Sequence, residues 1–166
     1  GSKTFYSQLR LDPLPPERAD DLLRALLGVD PVIEPRKRML AARTHGNPLF
    51  LEESVRALVE TGVLAGEHGA YRPARSVEAV EVPATVQAIL AARIDRLPAQ
   101  EKRLLQAASV VGKDVPLELL RAVADLGEQD LLRLLARLTV AEFLYETGLF
   151  PDSEYTFKHA LTHEVA

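Results

Sequence analysis

Apolar residues recur at helical spacing through most of this chain, and glycine or proline ends each run. Residues 84–98, for example, hold apolar side chains at positions 86, 89, 90, 94 and 97 and stop at Pro98. Positions three and four residues apart share one face of an α-helix. The period changes only near the C-terminus, where residues 142–146 and 154–159 alternate on either side of a turn. The chain is therefore predicted to be mainly α, with a small β-hairpin near its end.

The same signals divide the chain at a boundary between Val82 and Pro83. The first part, residues 1–82, is predicted to hold a short strand over 4–11, three helices, a hairpin around Gly66 and Gly69, and a connector. The second part, residues 83–166, is predicted to hold four helices, one of them over residues 115–127, and then the hairpin. Helices followed by a β-hairpin predict a winged helix.

Composition excludes several classes of protein. The 166 residues are 47% hydrophobic and include no cysteine, so the chain can bury a core but has neither disulfides nor thiolate metal ligands. No apolar run approaches the roughly 20 residues that cross a bilayer, and the N-terminus lacks a signal-peptide pattern. We expect no membrane partner and a cytoplasmic location. Gly1-Ser2 is typical of a cloning remnant, and we expect the chain to be part of a longer protein.

Charge does not favour a nucleic-acid partner. The net charge is -4, and the one dense basic cluster, residues 35–39, is predicted to be a solvated helix face. Specific DNA binding is not expected, because few cations are available to contact phosphates.

Catalytic patterns are scarce. Gly112-Lys113 is followed by Asp114 and has no glycine five positions earlier, so no phosphate-binding P-loop is present. His159 and His163 are four residues apart, but zinc takes at least three protein ligands. We expect no metal site, no catalytic residues and no independent enzyme activity.

The tripeptide Gly46-Asn47-Pro48 predicts the start of a helix. Asn47 suits the N-cap, Pro48 suits the first helical position, where no amide donor is needed, and Gly46 permits a positive φ. A simple helix cap is one explanation of this pattern.

Four segments together resemble one family, in its order along the chain: residues 46–53, 82–112, 142–146 and 154–166. They are similar to the region after the P-loop core in AAA+-related signal-transduction ATPases of the STAND class. The likeness is greatest to the modules beside class III adenylyl cyclase domains and in large bacterial transcription regulators. The resemblance implies a helical lid over residues 1–82, after the last core strand, and a winged helix over 83–166. It also implies an upstream P-loop domain, a downstream repeat or output domain, and ATP or ADP with Mg in the parent protein. No cofactor is expected for the chain alone.

The resemblance also implies roles for four residues. Gly46, Asn47 and Pro48 match the family's Gly-x-Pro motif, whose proline packs against adenine. His159 matches the histidine of the Met-His-Asp-Leu motif, which contacts the β-phosphate of ADP, but Ala160 replaces the aspartate. The alternative for His159 is a partly buried histidine bound to a backbone carbonyl.

Two functions stay open. The chain is either the lid and winged helix of a nucleotide switch or a DNA-binding winged helix of a transcription regulator. The helix over residues 115–127 balances Arg121 against Glu118 and Asp125, and the hairpin tip is acidic. These features favour the switch.

Overall fold

The computed structural model describes residues 12–74, 82–148 and 153–166. Within these ranges the chain is mainly α-helical with two small antiparallel sheets, which confirms the predicted fold class. The chain packs as two compact units, Gly1–Val86 and Gln87–Ala166. The predicted strand over residues 4–11 and most of the predicted connector lie outside the described residues.

In its described residues, the first unit contains three α-helices that pack against one another, and a short hairpin. Its elements are α1 (Pro16–Leu27), a 3-10 turn (Pro31–Ile33), α2 (Glu34–Thr44), α3 (Pro48–Glu60), β1 (Leu64–Ala65) and β2 (Arg72–Pro73). The hairpin pairs Leu64 with Pro73 and Ala65 with Arg72. The core takes residues at helical spacing from each helix, namely Ala19, Leu23, Leu27, Leu40, Leu51, Val55 and Leu58.

The basic cluster of α2 is not the solvated face that the sequence suggested. Arg36 and Lys37 are 3% and 1% exposed, and only Arg38 of the three faces solvent. Arg36 donates to the carbonyl of Val63 at 3.3 Å, and the Lys37 ammonium lies 2.8 Å from a Glu34 carboxylate oxygen. The prediction failed because these buried cations obtain oxygen partners within the unit, which a count of charges does not reveal.

The second unit combines five helices with a three-stranded sheet in the described residues. The elements are α4 (Val86–Asp95), α5 (Ala99–Val111), β3 (Asp114–Pro116), α6 (Leu117–Ala124), α7 (Glu128–Val140), β4 (Leu144–Glu146), β5 (Glu154–Phe157) and α8 (Ala160–Val165). β5 lies between β3 and β4 and is antiparallel to both. From α5 to β5 this is the order of elements in a winged helix.

One strand of this sheet was missed. Residues 115 and 116 were predicted to begin a helix, but Asp114, Val115 and Pro116 form β3, with Val115 fully buried and paired with Tyr155. The strand is only three residues long, too short for an alternating pattern to be recognised.

The core of the second unit joins α5, α6 and α7 to the three-stranded sheet. Its buried apolar residues include Leu104, Leu105, Leu120, Leu131, Leu134, Leu135, Leu138, Phe143, Leu144 and Phe157. Among the described helices, none combines the length and apolar composition needed to cross a membrane.

Arg93 of α4 is also buried in this unit, at 1% exposure. Its guanidinium donates to the carbonyl of Ala141 at 2.8 Å and lies 4.5 Å from the ring centroid of Phe143. Ala141 caps the C-terminus of α7, where the helix dipole favours a cation. Arg93 therefore fixes α4 to the corner between α7 and β4.

Candidate functional site

The turn between α2 and α3 holds three of the four residues predicted to form a site. The chain leaves α2 through His45 at φ 49° and Gly46 at φ 74°, both in the left-handed region. The amide of Asn47 then donates to the carbonyl of Thr44 at 3.0 Å. Two successive left-handed residues reverse the chain sharply, so α3 begins at Pro48.

Gly46 is buried because another part of the chain crosses directly over it. The amide of Leu14 donates to the carbonyl of Gly46 at 2.8 Å. A Cβ atom at position 46 would lie 2.3 Å from the carbonyl oxygen of Leu14, a distance that real Cβ atoms do not adopt. Glycine is therefore required here, because the backbone has a positive φ and because a side-chain atom would not fit beneath Leu14.

Asn47 and Pro48 begin α3 as the sequence predicted. The Asn47 side-chain oxygen accepts from the amide of Phe50 at 3.1 Å, which is an N-cap bond. Pro48 is the first residue of the helix, where a missing amide hydrogen costs nothing. Both residues are exposed, so the turn presents a proline ring to solvent on a backbone that Gly46 and Asn47 hold in place.

His159, the fourth residue, belongs to the second unit and is half-buried between β5 and α8. It occupies the N-cap position of α8 with extended φ and ψ, and its side chain makes no capping bond. The next histidine of this segment, His163, lies with its Nε2 3.0 Å from the carbonyl oxygen of Ser109. His163 also packs edge-on against Phe157, with ring centroids 5.2 Å apart.

The comparisons with known proteins concern mainly the first unit. Residues 15–72 match a family model described as a domain of unknown function, DUF8739. The matched range contains α1 to β1 and the first residue of β2, and with them Gly46, Asn47 and Pro48. No match was found among curated proteins or solved structures. The first unit is thus similar to a domain family of unknown function, and the comparisons assign it no activity.

Electrostatics of the second unit bear on DNA binding. In a helix-turn-helix, the second helix enters the major groove. The second helix of the pair α6 and α7 is α7. The sequence had instead suggested the helix over residues 115–127, which corresponds to α6. Arg133 of α7 is bound to Asp130 at 2.9 Å, and Arg137 is bound to Glu101 at 2.8 Å. Both arginines of α7 are therefore already engaged by carboxylates.

The Glu101–Arg137 pair was not foreseen from sequence. Glu101, on α5, is 4% exposed, and its hydrogen bond from Arg137 holds the pKa of the carboxyl below its ordinary value, although burial acts in the opposite direction. The residues are 36 positions apart, so no local pattern could indicate the contact. In the described part of the chain, no three His, Cys, Asp or Glu side chains gather closely enough to hold a metal ion.

Proposed function

We propose that this chain is the lid and winged-helix region of a nucleotide-dependent signalling switch. In this proposal the two regions close over ATP or ADP bound to an upstream P-loop domain. Their movement relays the nucleotide state to an output domain downstream. The chain itself performs no catalysis, because the phosphate-binding loop and the Mg²⁺ ligands belong to the upstream domain.

The observation that carries the proposal is the exposed ring of Pro48 at the start of α3. A helix cap needs only Asn47, and a proline ring adds a rigid apolar surface with no donor to desolvate, which suits the flat face of a base. Gly46 and Asn47 hold that ring through the bonds to Leu14 and Phe50. The arrangement is consistent with a preformed contact for adenine.

The winged-helix order of the second unit also supports the proposal, since His159 lies two residues after the end of β5. A histidine at this position would donate a charge-assisted bond to the β-phosphate of ADP and favour the closed state. Under this mechanism Pro48 contacts the base and His159 contacts the phosphates of one nucleotide.

DNA binding, the second function considered, gains no support from these contacts. The arginines of α7 would have to leave Asp130 and Glu101 before they could contact phosphates. Separating Arg137 from Glu101 would leave a buried carboxylate without its partner, which is costly.

The proposal is tested in the longer protein by stopped-flow release of fluorescent ADP and ATP. His159→Ala should weaken the ADP-bound closed state by about 1.5 to 3 kcal/mol, the usual contribution of a hydrogen bond to a charged group, and speed ADP release roughly tenfold or more. Pro48→Ala should lower affinity for ATP and ADP alike, because both nucleotides share the base.

Matched controls separate these effects from loss of structure. Pro16→Ala removes another exposed proline from the start of a helix, and His68→Ala removes an exposed histidine from the hairpin of the first unit. Both controls should leave the release rates unchanged. Unchanged rates in Pro48→Ala and His159→Ala, with lower melting temperatures, would show that the two residues are only structural.

A further inference from the structure

The segment that precedes α1, residues 12–15, lies across the turn that presents Pro48. Pro13 and Pro15 belong to this segment, and proline fixes φ at about −65°. Leu14 stands before a proline, which restricts its own backbone to extended conformations. Proline-rich segments are stiff, so a displacement at one end is passed along the chain instead of being absorbed by rotation about φ. We call residues 12–15 the crossing segment.

The crossing segment runs directly into α1. Pro15 is the N-cap of this helix, and its carbonyl accepts from the amides of Arg18 and Ala19 at 2.9 and 3.0 Å. Ala19 is buried in the core of the first unit. The segment is therefore anchored to α1 at one end, while Leu14, one residue before the N-cap, contacts the turn between α2 and α3.

That turn has a strained backbone. His45 has φ 49°, a left-handed conformation that residues with a side chain rarely adopt, and Gly46 follows at φ 74°. Such a backbone persists where the surrounding contacts hold it in place. The cap bond from Phe50 to Asn47 is made within α3 and the turn themselves. The bond from the Leu14 amide to the Gly46 carbonyl, at 2.8 Å, comes from a separate segment, so it restrains the turn against movement relative to α1.

The contact between the two backbones is close. An added Cβ at Gly46 would lie 2.3 Å from the carbonyl oxygen of Leu14, so no side-chain atom fits between them. A shift of Leu14 must therefore either carry Gly46 with it or break the hydrogen bond. Pro48 lies two residues further along, and its ring is rigid, so the backbone of the turn sets the position of the ring.

We propose that Leu14 is a positioning residue for the proposed adenine contact. The crossing segment holds the turn in the geometry that presents the Pro48 ring to the base, and displacement of the segment releases the ring. In the proposed switch the P-loop domain precedes the crossing segment, so movement of that domain relative to α1 reaches the base contact through Leu14. This inference rests on the proposed function, and its tests are arranged to fail separately from it.

The first test uses the 166-residue chain and needs no nucleotide. Leu14→Pro removes the amide donor from a segment whose backbone already suits proline, whereas Leu14→Ala keeps the donor. Leu14→Pro should speed hydrogen exchange at the Phe50 amide, the donor of the cap bond, by about three- to tenfold, as much as one hydrogen bond shifts a local equilibrium. Leu14→Ala should leave this rate within about twofold of the original.

Two further variants keep this test specific. Pro13→Gly keeps the Leu14 amide but loosens the crossing segment, and it should speed exchange at Phe50 in the same direction by about two- to fivefold. Ile33→Val is the matched control, because it trims a fully buried side chain of the first unit and lowers stability about as much as the loss of one hydrogen bond. Exchange at Phe50 should not change in this control.

The second test measures the affinity of the longer protein for ATP and for ADP. Leu14→Pro should weaken both by the same factor, about three- to tenfold, because a smaller fraction of molecules holds the turn in its binding geometry. Leu14→Pro combined with Pro48→Ala should bind no more weakly than Pro48→Ala alone, since a ring that is absent cannot be displaced. A role in stability alone would lower the melting temperature without this dependence between the two positions. Ile33→Val should again change neither affinity.

Two results would overturn the proposal. One is unchanged exchange at Phe50 in both Leu14→Pro and Pro13→Gly. The other is that the losses of affinity in Leu14→Pro and Pro48→Ala add in the double variant. Either result leaves the proposed function standing if Pro48→Ala alone weakens both nucleotides. An unchanged affinity in Pro48→Ala would refute the adenine contact itself, and this inference with it.

Discussion

We expect Gly46→Ala to destabilise the first unit by more than the cost of placing alanine at a positive φ. Alanine at φ 74° lies in the left-handed region, which costs roughly 1 to 2 kcal/mol, and the stiffer unfolded chain offsets about 0.4 to 1 kcal/mol of this. The added Cβ would also lie 2.3 Å from the Leu14 carbonyl oxygen and 3.3 Å from its amide nitrogen. The crossing segment must therefore move away.

That movement removes the hydrogen bond from the Leu14 amide to the Gly46 carbonyl, which contributes about 0.5 to 1.5 kcal/mol. Loss of packing beneath the displaced segment adds to this. We expect Gly46→Ala to lower the free energy of unfolding of the first unit by about 2 to 4 kcal/mol.

Gly62→Ala is the matched control. Gly62 has φ 69°, close to that of Gly46, but a Cβ there would meet nothing within 4 Å. The control should therefore cost only about 1 kcal/mol, the conformational part. Urea titration of both variants, followed through amide NMR signals of α3, measures the first unit separately from the second. A difference between the variants below about 0.5 kcal/mol would refute the argument that Leu14 requires a glycine beneath it.

Three further predictions concern the second unit and the chain as a whole. The pKa of Glu101 is lowered, so its bond with Arg137 stabilises the folded unit fully only above the ordinary carboxyl pKa. The free energy of unfolding should therefore fall as the pH falls from about 4.5 through the lowered pKa. Glu101→Gln should remove this dependence from a series of urea titrations at different pH. The chain alone should bind ATP and ADP negligibly, since one proline cannot replace a P-loop, and micromolar affinity by calorimetry would contradict this. Duplex DNA should bind only non-specifically, and a sequence-selective mobility shift at physiological salt would count against the reasoning.

Local signals were sufficient for most helices of this chain. The sequence-based start of α3 at Pro48 agrees with the structure, because Asn47, the N-cap, and the proline act within one turn of the helix. The hairpin of β4 and β5 was likewise indicated by alternation across a turn. Part of that turn, residues 149–152, lies outside the described ranges.

Features that depend on distant contacts were missed. Arg36 and Lys37 are buried because Val63 and Glu34 supply oxygen partners, and Arg93 is buried because Ala141, 48 positions away, accepts its hydrogen bond. The sequence indicated that Gly46 can adopt a positive φ, as it does in the structure, but no pattern indicated that Leu14 crosses it. The candidate site residues were proposed from pattern and resemblance, whereas the contacts that hold them required the folded chain.

The buried guanidinium of Arg93 makes α4 a mechanical link. Tension applied to α4 would reach the corner of α7 and β4 through the side chain of Arg93, which donates to Ala141 and lies over the ring of Phe143. A lysine could supply the charge but not the planar group that makes both contacts together. Because the arginine cannot leave without exposing an unsatisfied carbonyl and a buried ring, α4 and this corner should move as one rigid lever. Force or rotation applied to α4 would thus be delivered to β4, the first strand of the hairpin that it forms with β5.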